Sequence, residues 1–234
     1  MPRIHFQQQL AELKDKLLAM AALSQQAVES AVDAYLQRDK GLCQYVKQNE
    51  TAINTAQHEL DEMAYELLAK EQPMAIDLRF ILAVIKINAD LERVGDAAKS
   101  ISDRVRTMET MATADLPVDI PRMASLAANM VRKSLQSFIE ADAEMAQSVL
   151  SMDDAVDGMN RAAHVTLAHV MGTEGHLAPQ ALNALMVCRS LERVADHATN
   201  IAEDVIFWVK GADVRHKSSV EANAAKELYG AKAE

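Results

Sequence analysis

One helical phrase occurs twice in this chain, and the repetition limits what the chain can fold into. Residues 91–103 read LERVGDAAKSISD, and residues 191–203, 100 positions later, read LERVADHATNIAE. Each copy carries an apolar stripe at three- and four-residue spacing: Leu91, Val94, Ala98, Ile101 and Val105, then Leu191, Val194, Ala198, Ile201 and Val205. Such a stripe predicts one buried face of a helix. Glu92 and Asp96, like Glu192 and Asp196, stand four apart, so each pair shares a helix face one turn apart. They sit roughly 100 to 140° round the helix from the leading leucine. That places them at an accessible surface or at a seam between helices.

The duplication reaches well beyond this phrase. At an offset of 103, Met20, Ala21, Leu23 and Val28 meet Met123, Ala124, Leu126 and Val131, and Asp39 meets Asp142. Periodicity and breakers predict helices over about 5–37, 42–70 and 74–107, then 122–140, 141–170 and 179–210. The expected fold is all-α, with two tandem three-helix bundles related by internal duplication. Residues 1–110 form the first bundle, 111–121 a linker with two prolines, 122–211 the second bundle, and 212–234 a polar tail. The two bundles are expected to have separate cores and to meet through their helix ends and the linker.

Composition supports helices and excludes several functions. Half of the 234 residues are hydrophobic, but only 4% are aromatic, with 7 Gly and 5 Pro, so the helix breakers are few. A net charge of −10 argues against a nucleic-acid partner, which calls for basic stripes and stacking aromatics. Cys43 and Cys188 form no CxxC pattern and read as reduced structural residues of a cytoplasmic protein. The N-terminus lacks the apolar run of a signal peptide, and the longest apolar stretch, 80–85, is far too short to span a bilayer. The Arg215-His216-Lys217 cluster is too small to anchor an acidic chain on anionic lipid, so a membrane partner is expected to be a protein.

Aligning the repeats exposes a second polar pair in each half. Glu50 and Asn54 on the middle helix of the first half correspond to Asp153 and Asp157 in the second. Packing adjacent helices brings Glu50 and Asn54 towards Glu92 and Asp96, and Asp153 and Asp157 towards Glu192 and Asp196. Three or four converging carboxylates repel one another until a cation or basic side chains neutralise them. An all-oxygen set selects hard ions, namely Mg²⁺, Ca²⁺, Mn²⁺ or iron. The candidate metal ligands are therefore Glu50, Glu92, Asp96, Asp153, Asp157, Glu192 and Asp196. His197 follows Asp196, but its repeat equivalent is Ala97, so it is expected to be an exposed helical residue. There is no phosphate loop, HExxH motif or Glu-x-x-His pair, and no catalytic residue or organic cofactor site is predicted.

The segments QPMAIDLRFILAVIKINADLERVGDAAKSI and CRSLERVADHATNIAEDVIFWVKG resemble the paired signature segments of the PhoU family. The resemblance covers nearly the whole chain. It implies two similar three-helix bundles whose E/DxxxD motifs bind metal on the bundle surface; here these fall on Glu92/Asp96, Glu192/Asp196 and Asp153/Asp157. It also implies a cytoplasmic negative regulator of phosphate uptake and the phosphate-starvation response. Such a protein links a phosphate ABC transporter to a sensor histidine kinase, and homodimerisation is expected with it. The alternative is a metal-dependent phosphatase-type hydrolase built on the carboxylates. It would need an activating base and a phosphate clamp, for which only Arg93 and Arg193 offer themselves.

Overall fold

Two matching chain reversals record the duplication. The computed structural model describes residues 2–214, and the Arg215-His216-Lys217 cluster lies outside them. Helix α1 (Pro2–Gln37) passes into α2 (Lys40–Glu71) through Arg38, at φ 56°, and Asp39. The Asp39 carboxylate accepts hydrogen bonds from the backbone N–H groups of Gly41 and Leu42, at 2.7 and 3.2 Å. Helix α4 (Ile120–Glu140) passes into α5 (Ala143–Leu150) the same way, through Ala141 at φ 54° and Asp142. Asp142 accepts from Glu144 and Met145 at 2.8 and 3.0 Å. In both turns one residue in the left-handed region reverses the chain, and a short carboxylate satisfies the donors of the next helix's first turn.

The remaining helices are α3 (Ala75–Thr107), α6 (Asp153–Thr173) and α7 (Ala178–Lys210), the last preceded by one 3₁₀ turn at Gly175–Leu177. The fold is all-α, and no strand occurs among the described residues. Most helix boundaries fall within three residues of those predicted. The exception is the fifth helix, expected as one rod over 141–170, which is split into α5 and α6 at Ser151 and Met152. At the break the backbone tightens to i−3 bonds, with Met152 N–H on Val149 O at 2.9 Å and Ala155 N–H on Met152 O at 3.2 Å. Ser134 and Ser137 bond back to carbonyls within unbroken α4, so the similar bonds of Ser148 to Met145 O and of Ser151 to Ser148 O, the latter at 3.0 Å, accompany the break without causing it. The corresponding residues of α2 are Tyr45 and Gln48, and α2 runs unbroken.

Helices α1, α2 and α3 pack together, as do α4, α5, α6 and α7. The halves do not meet through helix ends. Instead α3 and α7 lie antiparallel along most of their length, in the most extensive helix–helix contact of the molecule. Arg79 Nε donates to Trp208 O at 3.1 Å, Lys86 pairs with Asp204 at 3.0 Å, and Thr107 bonds Asn183 at 2.7 Å. Buried side chains of both halves therefore form one continuous core rather than two. Phe80, Phe138 and Trp208 join α3, α4 and α7, with ring centroids 5.1 to 5.9 Å apart. Where α2 crosses α3, a side chain at Gly95 would place its Cβ 3.0 Å from Ile53 Cδ1. The second half has Ala195 and Val156 at the matching positions, so one carbon has moved across the contact.

Arg38 holds the linker against this frame. Its guanidinium donates to the carbonyl of Met111 at 2.5 Å and to that of Ala112 at 3.1 Å.

Candidate metal centre

The split between α5 and α6 decides the geometry of the acidic seam in the second half. It makes Asp153 the first residue of α6, where free backbone N–H groups and the helix dipole favour negative charge. Asp157 lies one turn further on, and Asp196 faces both from α7. One carboxylate oxygen from each of Asp153, Asp157 and Asp196 lies within 4.8 Å of the others. Among the described residues no other three acids, histidines or cysteines converge in this way.

The electrostatics of this trio are only partly relieved from within. Burial, followed by the charges of Asp157, Asp196 and Asp154, pushes the Asp153 carboxyl up to about 6. Asp153 Oδ1 is buried and accepts no hydrogen bond. Asp196 is raised as well, by burial first and then by Glu192 and Asp157, with His197 and Arg193 opposing. Among the described residues the one ion-pair partner of the trio is Arg161, an exposed side chain that donates to Asp157 Oδ2 at 3.2 Å. An orphaned buried carboxylate oxygen among converging acids fits a hard cation, whose charge offsets the repulsion and whose coordination uses the free oxygen. Glu192 lies outside the converging trio, a turn before Asp196 on α7, and acts on it through charge.

In the first half the same positions are already neutralised. Glu50 is buried on unbroken α2, and its Oε1 accepts from Lys99 Nζ at 2.8 Å and from Asn54 Nδ2 at 3.1 Å. Lys99 reaches in from α3, and its repeat equivalent is Thr199. The ammonium stands where a bound cation would, and Glu50 in turn holds the Lys99 proton more firmly. Glu92 is raised by burial and by Asp96, relieved by Arg93, while Asp96 is exposed. Of the seven predicted ligands, the structure thus gathers Asp153, Asp157 and Asp196, ties Glu50 to a lysine, and leaves Glu92, Asp96 and Glu192 flanking.

His197 is not exposed as predicted. It is buried in the contact between α3 and α7, where Asp90 Oδ1 accepts from His197 Nδ1 at 2.8 Å and from Asn200 Nδ2 at 3.1 Å. The signal was present in the spacing: His197 lies three residues after Val194 and four before Ile201, on the edge of the apolar stripe. Asp90 had no such signal, because its partner lies 107 positions away. Cys188 is buried and Cys43 half-buried, and both are free thiols. Burial pushes Cys188 up to about 11, and burial with the nearby Asp39 and Asp103 raises Cys43, so neither is a ready nucleophile.

Comparison with known proteins agrees with this architecture. The PhoU domain matches residues 17–105 and again residues 120–205. A Pseudomonas aeruginosa protein described as a phosphate-specific transport system accessory protein PhoU homolog is 37% identical, over 90% of this chain and 88% of its own. A Caulobacter vibrioides protein with the same description is 34% identical over 88% and 90%. The crystal structure of PhoU from Pseudomonas aeruginosa superposes with a TM-score of 0.85 at 36% identity, covering 88% of this chain and all of that one. That of the phosphate transport system regulatory protein PhoU from Streptococcus pneumoniae gives 0.80 at 26%, over 89% and 99%. Both repeats, their order and nearly the full length are matched, and the chain belongs to the PhoU family.

Proposed function

We infer that this chain is a PhoU-type accessory regulator of phosphate transport, and we propose that its second acidic seam holds a hard cation. Relatives matching nearly all of this chain are described as accessory proteins of a phosphate-specific transport system, which supports the regulatory role. The finer reading is that it restrains uptake by acting on a phosphate ABC transporter, and that it connects this transporter to a sensor histidine kinase at the cytoplasmic membrane face. No helix among the described residues is long and apolar enough to cross a membrane, which agrees with docking on membrane partners. A homodimer belongs to the same proposal.

The observation that carries the cation assignment is the orphaned Asp153 oxygen among three converging carboxylates. Asp153, Asp157 and Asp196 would hold Mg²⁺, Mn²⁺, Ca²⁺ or iron, and the ion would supply positive charge that unites α6 with α7. A hydrolase reading draws no support from these residues. The seam offers no histidine or lysine as a base, and Arg93 and Arg193 are both exposed. Deleting the gene should raise phosphate uptake and derepress phosphate-starvation genes, with restoration by the intact chain. Unchanged uptake and expression in the deletion strain would remove the regulatory reading, and turnover of a generic phosphomonoester with Mg²⁺ or Mn²⁺ would revive the hydrolase.

A further inference from the structure

The first half carries a second feature that the second half lacks. A groove of about 430 Å³ runs between the start of α2 and the end of α3, within the size range of small-molecule sites. Four cations line it, Lys40, Lys47, Lys99 and Arg106, against two carboxylates, Asp103 and Glu109. In a chain of net charge −10 this is a local reversal of sign. Lys40 is paired with Glu109 and Lys99 with Glu50, whereas Lys47 and Arg106 have no ion-pair partner among the described residues. The groove also takes in the first turn of α2, the positive end of that helix.

The duplicated half provides an internal control. At the positions of Lys40, Lys47, Lys99 and Arg106 it has Ala143, Leu150, Thr199 and Ile206. All four cations are therefore peculiar to the first half, although both halves share the helices that frame the groove. The backbone frame does not require them, and packing does not either, since small or apolar residues serve at the same places. Two uncommitted cations of different shape, a planar guanidinium and an ammonium, facing one groove suit an anion with several oxygens.

We propose that this groove binds a small soluble phosphoryl anion, with Arg106 and Lys47 as its principal contacts and Lys40 and Lys99 at its margins. Free orthophosphate and a condensed phosphate chain share the chemistry, and a groove of about 430 Å³ has room for either. The site lies on residues outside the acidic trio and does not depend on the regulatory reading.

Calorimetric titration of the full chain with orthophosphate, pyrophosphate and tripolyphosphate, at matched ionic strength and with sulfate as a comparison, tests it. One saturable site per chain is expected for at least one phosphoryl anion, and which of them binds tightest identifies the source. Lys47→Gln with Arg106→Gln removes two charge-assisted hydrogen bonds and should weaken binding by about tenfold or more. Lys70→Gln with Lys210→Gln removes the same charge from the exposed last turns of α2 and α7 and should leave the affinity within about twofold, since distant exposed charges are screened. Absence of saturable binding by all three phosphoryl anions overturns the proposal. So does equal weakening by both double variants, which would reduce the effect to net charge. Circular dichroism melting of both variants, expected to match the unsubstituted chain, ties any loss to the groove.

Discussion

The two acidic seams stand at equivalent places in duplicated helices, yet they solve the same electrostatic problem in opposite ways. In the first, a buried carboxylate is neutralised from within by Lys99 and Asn54. In the second, three carboxylates converge with one exposed arginine beside them and one oxygen without a partner. Three local changes separate them: Lys99 is exchanged for Thr199, Asn54 for Asp157, and a helix break turns a mid-helix position into a helix start at Asp153. Duplicated sequence therefore does not imply duplicated electrostatics. An internal ammonium makes a site self-sufficient, and its absence leaves charge for an external ion to balance.

The largest test of this contrast removes the converging acids. Asp153→Asn with Asp196→Asn should lower Mn²⁺ affinity on the order of 100-fold, since each lost charge weakens a hard-ion site. Glu92→Gln with Asp96→Asn should change it by less than about threefold. A titration in which the first-half pair causes the greater loss would reverse the assignment of the seams.

Removing the internal cation is the next step down. Lys99→Thr leaves Glu50 buried without its charged partner, at a cost of about 1 to 2 kcal/mol after allowing for the partial exposure of the lysine. Adding Asn54→Asp should give the first half a Mn²⁺ site of its own, read as a second equivalent in the titration. If no second equivalent appears, the lysine is not what separates the seams.

Acidity sharpens the comparison. Asp153 titrates at about 6 in the folded chain and near 4 when unfolded, so its carboxyl favours the folded state at low pH. That contribution is complete below about 4 and is lost as pH rises through about 6, so the metal-free protein loses stability over this window. Mn²⁺ affinity runs the other way and should weaken as pH falls through about 6, when protons compete for the carboxylate. Lys99, raised by Glu50, stays charged throughout, and its contribution fades only above the usual lysine range. Melting of the metal-free chain against Asp153→Asn from pH 4 to 7 should show a shallower slope in the variant, the remainder coming from raised Asp196 and Glu92, and an unchanged slope would point elsewhere.

The smallest expected effect concerns the matched turns. Ala141 holds φ 54°, and its methyl group can offer no hydrogen bond in return, so Ala141→Gly should stabilise by about 1 kcal/mol. Arg38→Gly relieves the same strain but gives up the bonds to Met111 and Ala112, and should be neutral or destabilising. Thermal melting of the two variants gives the sign of each.

Much of this molecule could be read from its sequence, for identifiable reasons. Apolar period, proline positions and the caps Asp39 and Asp142 act locally, so helix limits and the duplication were accessible. The Ser151–Met152 break was not, because Val149, Met152 and Val156 keep helical spacing straight across it. Lys99 escaped for another reason. A lysine at an exposed-looking position reads as a solvated charge until the neighbouring helix is seen to bring Glu50 to it. The extent of the α3–α7 contact was hidden in the same way, since a stripe shows that a face is buried but not which helix covers it.

The Asp90–His197–Asn200 link has a consequence for assembly. Because α3 and α7 descend from one ancestral helix and pack antiparallel, α3 could in principle pair with α3 of another copy, and α7 likewise. In such a pairing Asp90 would face Ala97 and Ser100, the residues that replace His197 and Asn200, and would exchange an imidazole and an amide donor for at most one hydroxyl. His197 would face Ser190 in place of an acid. Burying a carboxylate or an imidazole with poorer partners is costly, so both self-pairings are penalised while the mixed pairing is not. One acid and one imidazole thus work as lock and key between sister helices, directing each half to its own sibling rather than to its twin in a neighbouring chain.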